Sequence, residues 1–225
     1  MADLMSSEPD RSLEAVSLFS TPLIRARHPE LTRLIQPLKK SILQRKDAHP
    51  GMKRSNQGGW HSDNGMQDWG GEATTRLIMI AADTVERHLS VTDMPDHLRM
   101  GWNVDIWANV NTAGDVNAQH CHPGAFASAV FYVDMGNDGA PARDGHLVLE
   151  DPRYPMAHMQ HPSVLWHGAD GKGTASQVPV LPQTGELIVF PSWLRHSVRP
   201  HTGRGERISI AINLSLQWQM KEAMT

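Results

Sequence analysis

The sequence predicts a mainly β protein, a barrel of strands with a polar inner wall, supported by helices near the N-terminus. Polar and aliphatic residues alternate with a period of two in residues 102–111 and again in 206–214, which is typical of strands with one polar and one apolar face. Ahead of them, two segments carry apolar residues at helical spacing, and such helices pack most economically against one sheet. An ordinary sheet with one solvated face is the alternative that the same alternation allows.

The composition limits the classes of protein and partner. The 225 residues suit one substantial domain, which we divide into an N-terminal strand and helical buttress, 1–98, and a strand-rich core, 99–225, within the same domain. The net charge of −3 gives no basic surface, so nucleic acid is a poor candidate partner. Cys121 is the single cysteine, which excludes an intrachain disulfide.

The same observations bear on localisation. A chain without an intrachain disulfide fits a reducing cytoplasm. We find no pattern of a signal peptide and no apolar stretch of about 18 residues, so we expect a soluble, cytoplasmic protein with no membrane partner. The sequence is compatible with a homo-oligomer.

The N-terminal elements are predicted as follows. Residues 16–24 are strand-like, and a helix begins near Pro29, with Pro37 expected to kink or split it. Residues 46–70 are rich in Gly, Asn, Asp and His and contain Trp60 and His61 in a loop or short edge strand. A second amphipathic helix follows at residues 77–89.

The C-terminal half is predicted to be a run of strands. Their ranges are 102–111, 126–133, 145–150, 185–190 and 206–214. A long aperiodic segment, residues 151–180, separates the third of these strands from the fourth. A loop of such length in a compact domain is commonly functional, and we expect it to be a mobile lid that shapes the substrate mouth.

A candidate metal site lies in the segment between the first two of these strands. On an extended strand His120 and His122 point the same way and can reach one metal ion, while Cys121 points away. Imidazole is the commonest metal-binding side chain. With 13 histidines in the chain, pairs at this spacing arise by chance, so the distant His196 is needed for specificity. The separation of His196 from Arg207 predicts a hairpin that places both on one inner wall.

Arg207 and Ser209 share one face of the last strand, opposite four aliphatic residues. An arginine on the inner wall of a barrel requires an anionic partner, because a desolvated, unpaired charge is costly. A carboxylate ligand is one such partner, since it matches the planar guanidinium bidentately and can accept a hydrogen bond from Ser209. A structural ion pair with Glu186, Glu150 or Asp105 is the alternative.

Taken in order, these residues resemble the iron(II)/2-oxoglutarate-dependent oxygenases, and in particular a bacterial and phage group of unknown substrate. The segments that carry the resemblance are His120-Cys121-His122-Pro123, Ala129-Val130-Phe131-Tyr132-Val133, Glu150-Asp151-Pro152-Arg153, Phe190-Pro191-Ser192-Trp193-Leu194-Arg195-His196 and Glu206-Arg207-Ile208-Ser209. The resemblance implies a double-stranded β-helix, the jelly-roll fold shared with cupins, that binds Fe(II) and 2-oxoglutarate. It also implies that His196 is the C-terminal metal ligand and that Arg207 and Ser209 hold the distal carboxylate of 2-oxoglutarate.

The sequence departs from this superfamily at His122, where a carboxylate ordinarily follows the first histidine by two residues. We predict that His120, His122 and His196 are the metal ligands, leaving coordination positions for the cosubstrate and O2. The alternative is that Asp151, Glu150 or Asp105 supplies a carboxylate and one of the two neighbouring histidines does not bind the metal.

Two further residues are candidates for cosubstrate binding. Tyr132 can donate its hydroxyl to a cosubstrate carboxylate or bond to backbone, and Asn109, with Trp107, lines the pocket or belongs to a merely polar sheet face. The predicted function is an Fe(II)- and 2-oxoglutarate-dependent oxygenase that hydroxylates an unidentified substrate with O2. The alternatives are a cupin-like three-histidine enzyme without 2-oxoglutarate and a non-catalytic jelly-roll binding module.

Overall fold

The structure, a computed structural model, describes residues 16–137, 144–153, 161, 164–173 and 175–221. Within these residues there are three helices, α1 (Pro29–Ala48), α2 (Met66–Trp69) and α3 (Glu72–Glu86). The strands are β1 (Ile24–Ala26), β2 (Asn56–Gln57), β3 (Trp60–His61), β4 (Leu98–Asn111), β5 (Val116–His120), β6 (Ala127–Met135), β7 (Leu147–Glu150), β8 (Gln177–Val180), β9 (Leu187–Pro191), β10 (His196–Val198) and β11 (Arg207–Met220).

The strands form two antiparallel sheets, which confirms the predicted double-stranded β-helix. The larger sheet has the order β1-β9-β6-β11-β4-β3, and the smaller has the order β2-β5-β10-β7-β8. Strands from the first 98 residues join both sheets, because β1 pairs with β9, β3 with β4, and β2 with β5. The division of the domain at residue 98 remains a prediction.

The helices cover the outer face of the six-stranded sheet. Leu31, Leu34, Leu38 and Ile42 recur at helical spacing on α1 and are buried, as are Leu77, Ile80, Ala81 and Val85 on α3. They form one apolar cluster with the aliphatic face of β11, whose members are Ile208, Ile210, Ile212 and Leu214. Among the helices in the described part of the chain, none has the length and apolarity needed to cross a membrane.

Pro37 does not split α1, and a kink at this residue remains a prediction. The helix runs without a break from Pro29 to Ala48, with Pro37 in its interior. The proline is exposed, on a different face from the buried leucines. There the backbone carbonyl left without a helical hydrogen-bond partner can be solvated, so the helix tolerates the missing N–H.

Two other predictions about strands are corrected. Of the strand expected at residues 16–24, only Ile24 joins β1, because the segment before it makes no ladder and Pro22 has no N–H to donate. The hairpin expected between His196 and Arg207 does not form. Instead, β10 pairs with β5 and β7 in the smaller sheet, while β11 pairs with β4 and β6 in the larger. The connection crosses from one sheet to the other, so the two residues lie on facing walls.

The segment 151–180 is only partly described. Residues 154–160, 162, 163 and 174 lie outside the described residues. Its last four residues are not loop but form β8, which pairs with β7. The assignment of a lid to this segment remains a prediction.

A bulge in β6 sets which of its side chains face the space between the sheets. Ile208 pairs with Asp134 and Ser209 with Tyr132, so Val133 is the extra residue. As a result Val133 packs in the outer cluster, and Asp134 accepts a hydrogen bond from Lys39 of α1 at 2.6 Å. Tyr132 joins the inner cluster between the sheets.

Candidate active site

Three histidines converge at one end of the space between the sheets. His120 ends β5, His196 begins β10, and the two are paired directly across the ladder. The potential ligand nitrogens of His120, His122 and His196 all lie within 4.8 Å of one another, and the ring centroids are 4.4 to 5.1 Å apart. One metal ion could therefore be reached by all three side chains.

Two of these rings are oriented by backbone hydrogen bonds of the same kind. The Nδ1 of His120 donates to the carbonyl of Ala118 at 2.7 Å, and the Nδ1 of His196 donates to the carbonyl of Leu194 at 2.8 Å. A carbonyl can only accept, so each bond fixes the hydrogen on Nδ1. The Nε2 lone pair of each ring is then available to a metal.

His122 is placed differently from the prediction, because it does not lie on a strand. β5 ends at His120, and His122 opens the following turn, in which its carbonyl accepts from the N–H of Ala125 at 3.2 Å. Its own N–H donates to the carbonyl of Ser192 at 3.0 Å. Pro123 has no N–H for a further ladder bond, which explains why the strand stops before it.

The electrostatics of the cluster favour neutral imidazoles. Burial lowers the pKa of His120. Burial, followed by the neighbouring His120, lowers the pKa of His122 to about 4 and that of His196 to about 3. At neutral pH the rings therefore carry lone pairs that can bind a cation.

None of the carboxylates considered as alternative ligands joins this cluster among the residues that the structure describes. Asp151 instead accepts hydrogen bonds at 2.9 Å from the backbone N–H and the Nε of Arg153, which holds the pKa of its carboxyl below the usual range. Asp105 is exposed on β4, and Glu150 is half-buried at the end of β7. Within the described part of the chain, the geometry thus groups three imidazoles without a carboxylate.

The facing wall of the cavity carries the residues predicted to bind a cosubstrate. Ser209 on β11 pairs with Tyr132 on β6 and with Asn109 on β4, so the three side chains form one row across the six-stranded sheet. Arg207 lies two residues before Ser209 on β11, so its side chain is on the same face of the sheet. All four are more than nine-tenths buried, and all four line the same cavity as the three histidines.

Arg207 lacks an ion-pair partner within the described residues, and its Nε has no hydrogen-bond partner there. Its guanidinium carbon lies 5.2 Å from the centre of the Tyr132 ring, and the Tyr132 hydroxyl likewise has no hydrogen-bond partner in the described part of the chain. Burial lowers the pKa of Arg207, whereas the nearby Tyr132 and Asp144 raise it. Burial raises the pKa of Tyr132 to about 12.

Glu186, one of the predicted structural partners of Arg207, is engaged elsewhere. Its carboxylate is fully buried and accepts hydrogen bonds from the Nε and Nη2 of Arg25 at 2.7 and 2.9 Å. It also accepts from the N–H of Gln183 at 2.9 Å and lies 3.8 Å from the Nε of Arg27. This buried acid therefore does not neutralise Arg207.

Sequence reasoning did not assign His61 to the site. His61 is 3% exposed, and its ring stacks on Trp107 with centroids 5.6 Å apart and planes at 13°. Trp107 in turn contacts the ring of His122 at 5.8 Å. β3 has only two residues, so its periodicity is too short to reveal that it pairs with β4 beside the histidines.

The fold and the site together define a jelly-roll protein with a candidate mononuclear metal centre. Residues 105–213, just under half of the chain, match the sequence model of the family described as "Putative 2OG-Fe(II) oxygenase". The matched segment contains the three histidines, Tyr132, Asn109, Arg207 and Ser209. This segment of the chain is thus similar to the 2OG-Fe(II) oxygenase family, in agreement with the resemblance seen in the sequence.

Several solved structures share the fold of this chain. A Pseudomonas putida prolyl-4-hydroxylase is 19% identical, with 87% of this chain and 93% of that one covered and a TM-score of 0.53. A Trichoplax adhaerens prolyl hydroxylase, in complex with a hypoxia-inducible-factor peptide, is 12% identical over 86% and 83% of the chains, with a TM-score of 0.56. HygX from Streptomyces hygroscopicus, with nickel and 2-oxoglutarate bound, is 13% identical over 87% and 83%, with a TM-score of 0.51. No curated protein matches this chain.

Proposed function

We propose that the protein is a mononuclear Fe(II)- and 2-oxoglutarate-dependent oxygenase that hydroxylates an unidentified substrate. One observation carries the proposal: a cluster of three histidines lines one wall of a cavity, and a buried arginine that makes no ion pair with any described residue lines the opposite wall. The family description names the metal and the cosubstrate that these two features would bind.

The histidine cluster fits a divalent iron. Imidazole nitrogen is a suitable donor for iron, and three protein ligands leave coordination positions open. The neutral state of the rings and the fixed tautomers of His120 and His196 prepare the site for a cation. When bound, Fe(II) supplies the redox chemistry with O2, and the protein supplies binding, orientation and exclusion of water.

The facing wall fits a carboxylate of 2-oxoglutarate. The Nε of Arg207 and the Tyr132 hydroxyl are both buried donors without a hydrogen-bond partner among the described residues, and Ser209 occupies the next inward position on β11. A carboxylate between them would neutralise the buried charge and accept their hydrogen bonds. Asn109, in the same row as Ser209, can donate from its amide to the same ligand. HygX, whose fold is shared, binds nickel and 2-oxoglutarate.

The proposed function is tested by following succinate formation from 2-oxoglutarate with added Fe(II), without a substrate. We expect slow turnover that requires Fe(II) and is abolished in His196→Ala. A cupin-like enzyme without 2-oxoglutarate would bind the metal and form no succinate. A non-catalytic jelly-roll module would form no succinate and would not require the metal for ligand binding. Either result would contradict the proposal.

A further inference from the structure

The three histidines differ in how their rings are held. His120 and His196 are each fixed by a hydrogen bond from Nδ1 to the carbonyl two residues earlier. The His122 ring makes no hydrogen bond to any residue that the structure describes, although its backbone is tied to Ser192. Rotation about its side-chain bonds is therefore limited only by packing.

Besides the two other histidines of the cluster, one large ring from the facing sheet packs against His122. Trp107 of β4 is 9% exposed and meets the His122 ring at 5.8 Å between centroids, with the planes at 60°. Trp107 is also in contact with His61, whose ring lies almost parallel to it with the centroids 5.6 Å apart. The rings of His61, Trp107 and His122 thus form a continuous row of ring contacts from the edge of the six-stranded sheet to the histidine cluster.

His61, the ring farthest from the histidine cluster in this row, is held in place by hydrogen bonds. The His61 Nδ1 donates to the carbonyl of Ser62 at 2.5 Å. Ser62 is itself bound to β4, because its N–H donates to the carbonyl of Ala108 at 2.9 Å and its hydroxyl accepts from the N–H of Ala108 at 2.9 Å. His61 is therefore tied through Ser62 to Ala108, the residue that follows Trp107, and this link restrains the two rings relative to each other.

From these contacts we propose that His61 and Trp107 are positioning residues for the metal ligand His122. They replace, by ring packing, the hydrogen bond that orients each of the other two ligands. The inference rests on the proposed metal site, because it gives His122 the role of a ligand. In other metal sites, the groups that orient ligands contribute about 10- to 100-fold to metal affinity.

The test is anaerobic titration of Co(II) into the full chain, followed by the visible spectrum of the bound ion. Co(II) absorption reports the number and arrangement of ligands, so it detects a misplaced His122 even when some metal still binds. His122→Ala provides the spectrum of a site without this ligand. We expect Trp107→Leu and His61→Ala to shift the spectrum towards that of His122→Ala and to weaken Co(II) binding about 10-fold or more. Trp107→Phe keeps an aromatic face against His122, so this variant should largely retain the wild-type Co(II) spectrum and Co(II) affinity.

Trp60→Leu is the matched control. Trp60 is equally buried at 9% and lies on β3 next to His61, but it packs in the outer cluster and its Nε1 donates to the carbonyl of His49. Its replacement should lower stability and leave the Co(II) spectrum unchanged. A wild-type spectrum and affinity in both Trp107→Leu and His61→Ala would overturn the inference, as would an equal change in Trp60→Leu. If His122→Ala itself retains the wild-type spectrum, the three-histidine site of the proposed function is wrong.

Discussion

At the scale of single residues, the buried carboxylate of Glu186 and the buried guanidinium of Arg207 differ in whether they have a partner of opposite charge. Glu186, fully buried, is satisfied by Arg25 from the edge strand β1, which makes this ion pair part of the scaffold. Arg207, 2% exposed, has no corresponding carboxylate among the described residues. A buried guanidinium without a counter-charge costs free energy in the absence of a ligand. We attribute that cost to a binding function.

Replacement of Arg207 should therefore affect the cosubstrate more than the fold. We expect Arg207→Ala to weaken 2-oxoglutarate binding by about 1.5–3 kcal/mol, or about 10- to 150-fold, because a charge-assisted hydrogen bond is lost. Thermal stability and Fe(II) binding should change little. Anaerobic titration of 2-oxoglutarate into the Fe(II)-loaded wild type and variant measures the effect.

Arg25→Ala is the control for that experiment. Because it leaves the buried Glu186 carboxylate without its main partner, this variant should lower stability and keep the 2-oxoglutarate affinity of the wild type. Equal affinities in wild type and Arg207→Ala would exclude the anchor role of Arg207.

His196 should be indispensable for metal binding. The His196→Ala variant loses one of three protein donors, and we expect Fe(II) affinity to fall by more than about 100-fold, beyond the effect of losing an orienting group. Elemental analysis after anaerobic loading and desalting measures the metal content per chain. His146→Ala, a change at a histidine outside the cluster, should keep full occupancy. Full occupancy in His196→Ala would show that the ligand assignment is wrong.

At the scale of elements, the local periodicity of the sequence was sufficient to predict the long strands and the two main helices. The alternation in residues 102–111 and 206–214 identified β4 and β11, and the apolar spacing identified α1 and α3. The spacing of His196 and Arg207 could not show whether the chain returns beside its own strand or crosses to the other sheet. That choice depends on the packing of the two sheets, which involves residues far apart in sequence.

The same limit applies to the site. The residue types and motifs identified His120, His122, His196, Arg207, Ser209, Tyr132 and Asn109 as candidates, and the structure brings all of them to one cavity. The turn conformation of His122 was indicated locally by Pro123, whose missing N–H disfavours a continued strand. His61 could not be found, because its place beside Trp107 arises from the pairing of β3 with β4.

Pro37 offers a test of stability that is independent of the site. Within α1 it removes one backbone hydrogen bond, and proline is about 3 kcal/mol less favourable than alanine in a helix interior. Proline also restricts the unfolded chain, which offsets about 0.4–1 kcal/mol of that cost. We expect Pro37→Ala to raise the free energy of unfolding by about 1–3 kcal/mol, measured by urea denaturation. Gln36→Ala, an exposed neighbour, should change it little; a destabilised Pro37→Ala would contradict this account.

At the scale of the whole molecule, the first 98 residues complete the core. α1 and α3 cover the apolar face of the six-stranded sheet, and β1 and β3 form its two edges. Without them, the face that carries Ile208, Ile210 and Ile212 would be exposed to water. Burial of this aliphatic surface is a main source of stability.

A fragment of residues 99–225 should therefore fail to fold by itself. We expect it to lack a cooperative denaturation transition and to bind no stoichiometric metal, whereas the full chain shows both. Tryptophan fluorescence during urea denaturation, with elemental analysis of the same samples, provides the comparison. A fragment that unfolds cooperatively and binds metal would show that the N-terminal part is a separate and dispensable unit.

The two walls of the cavity belong to different sheets, and this has a consequence for evolution and engineering. The histidines come from the five-stranded sheet and its turns, whereas Arg207, Ser209, Tyr132 and Asn109 come from the six-stranded sheet. With the roles proposed above, mutations in one wall leave the backbone of the other in place. A lineage that replaced Arg207 and Ser209 would change the oxo acid that it accepts while retaining its metal. The same separation allows a laboratory to diversify the anion-binding strands by themselves and to select catalysts that use a different co-reactant.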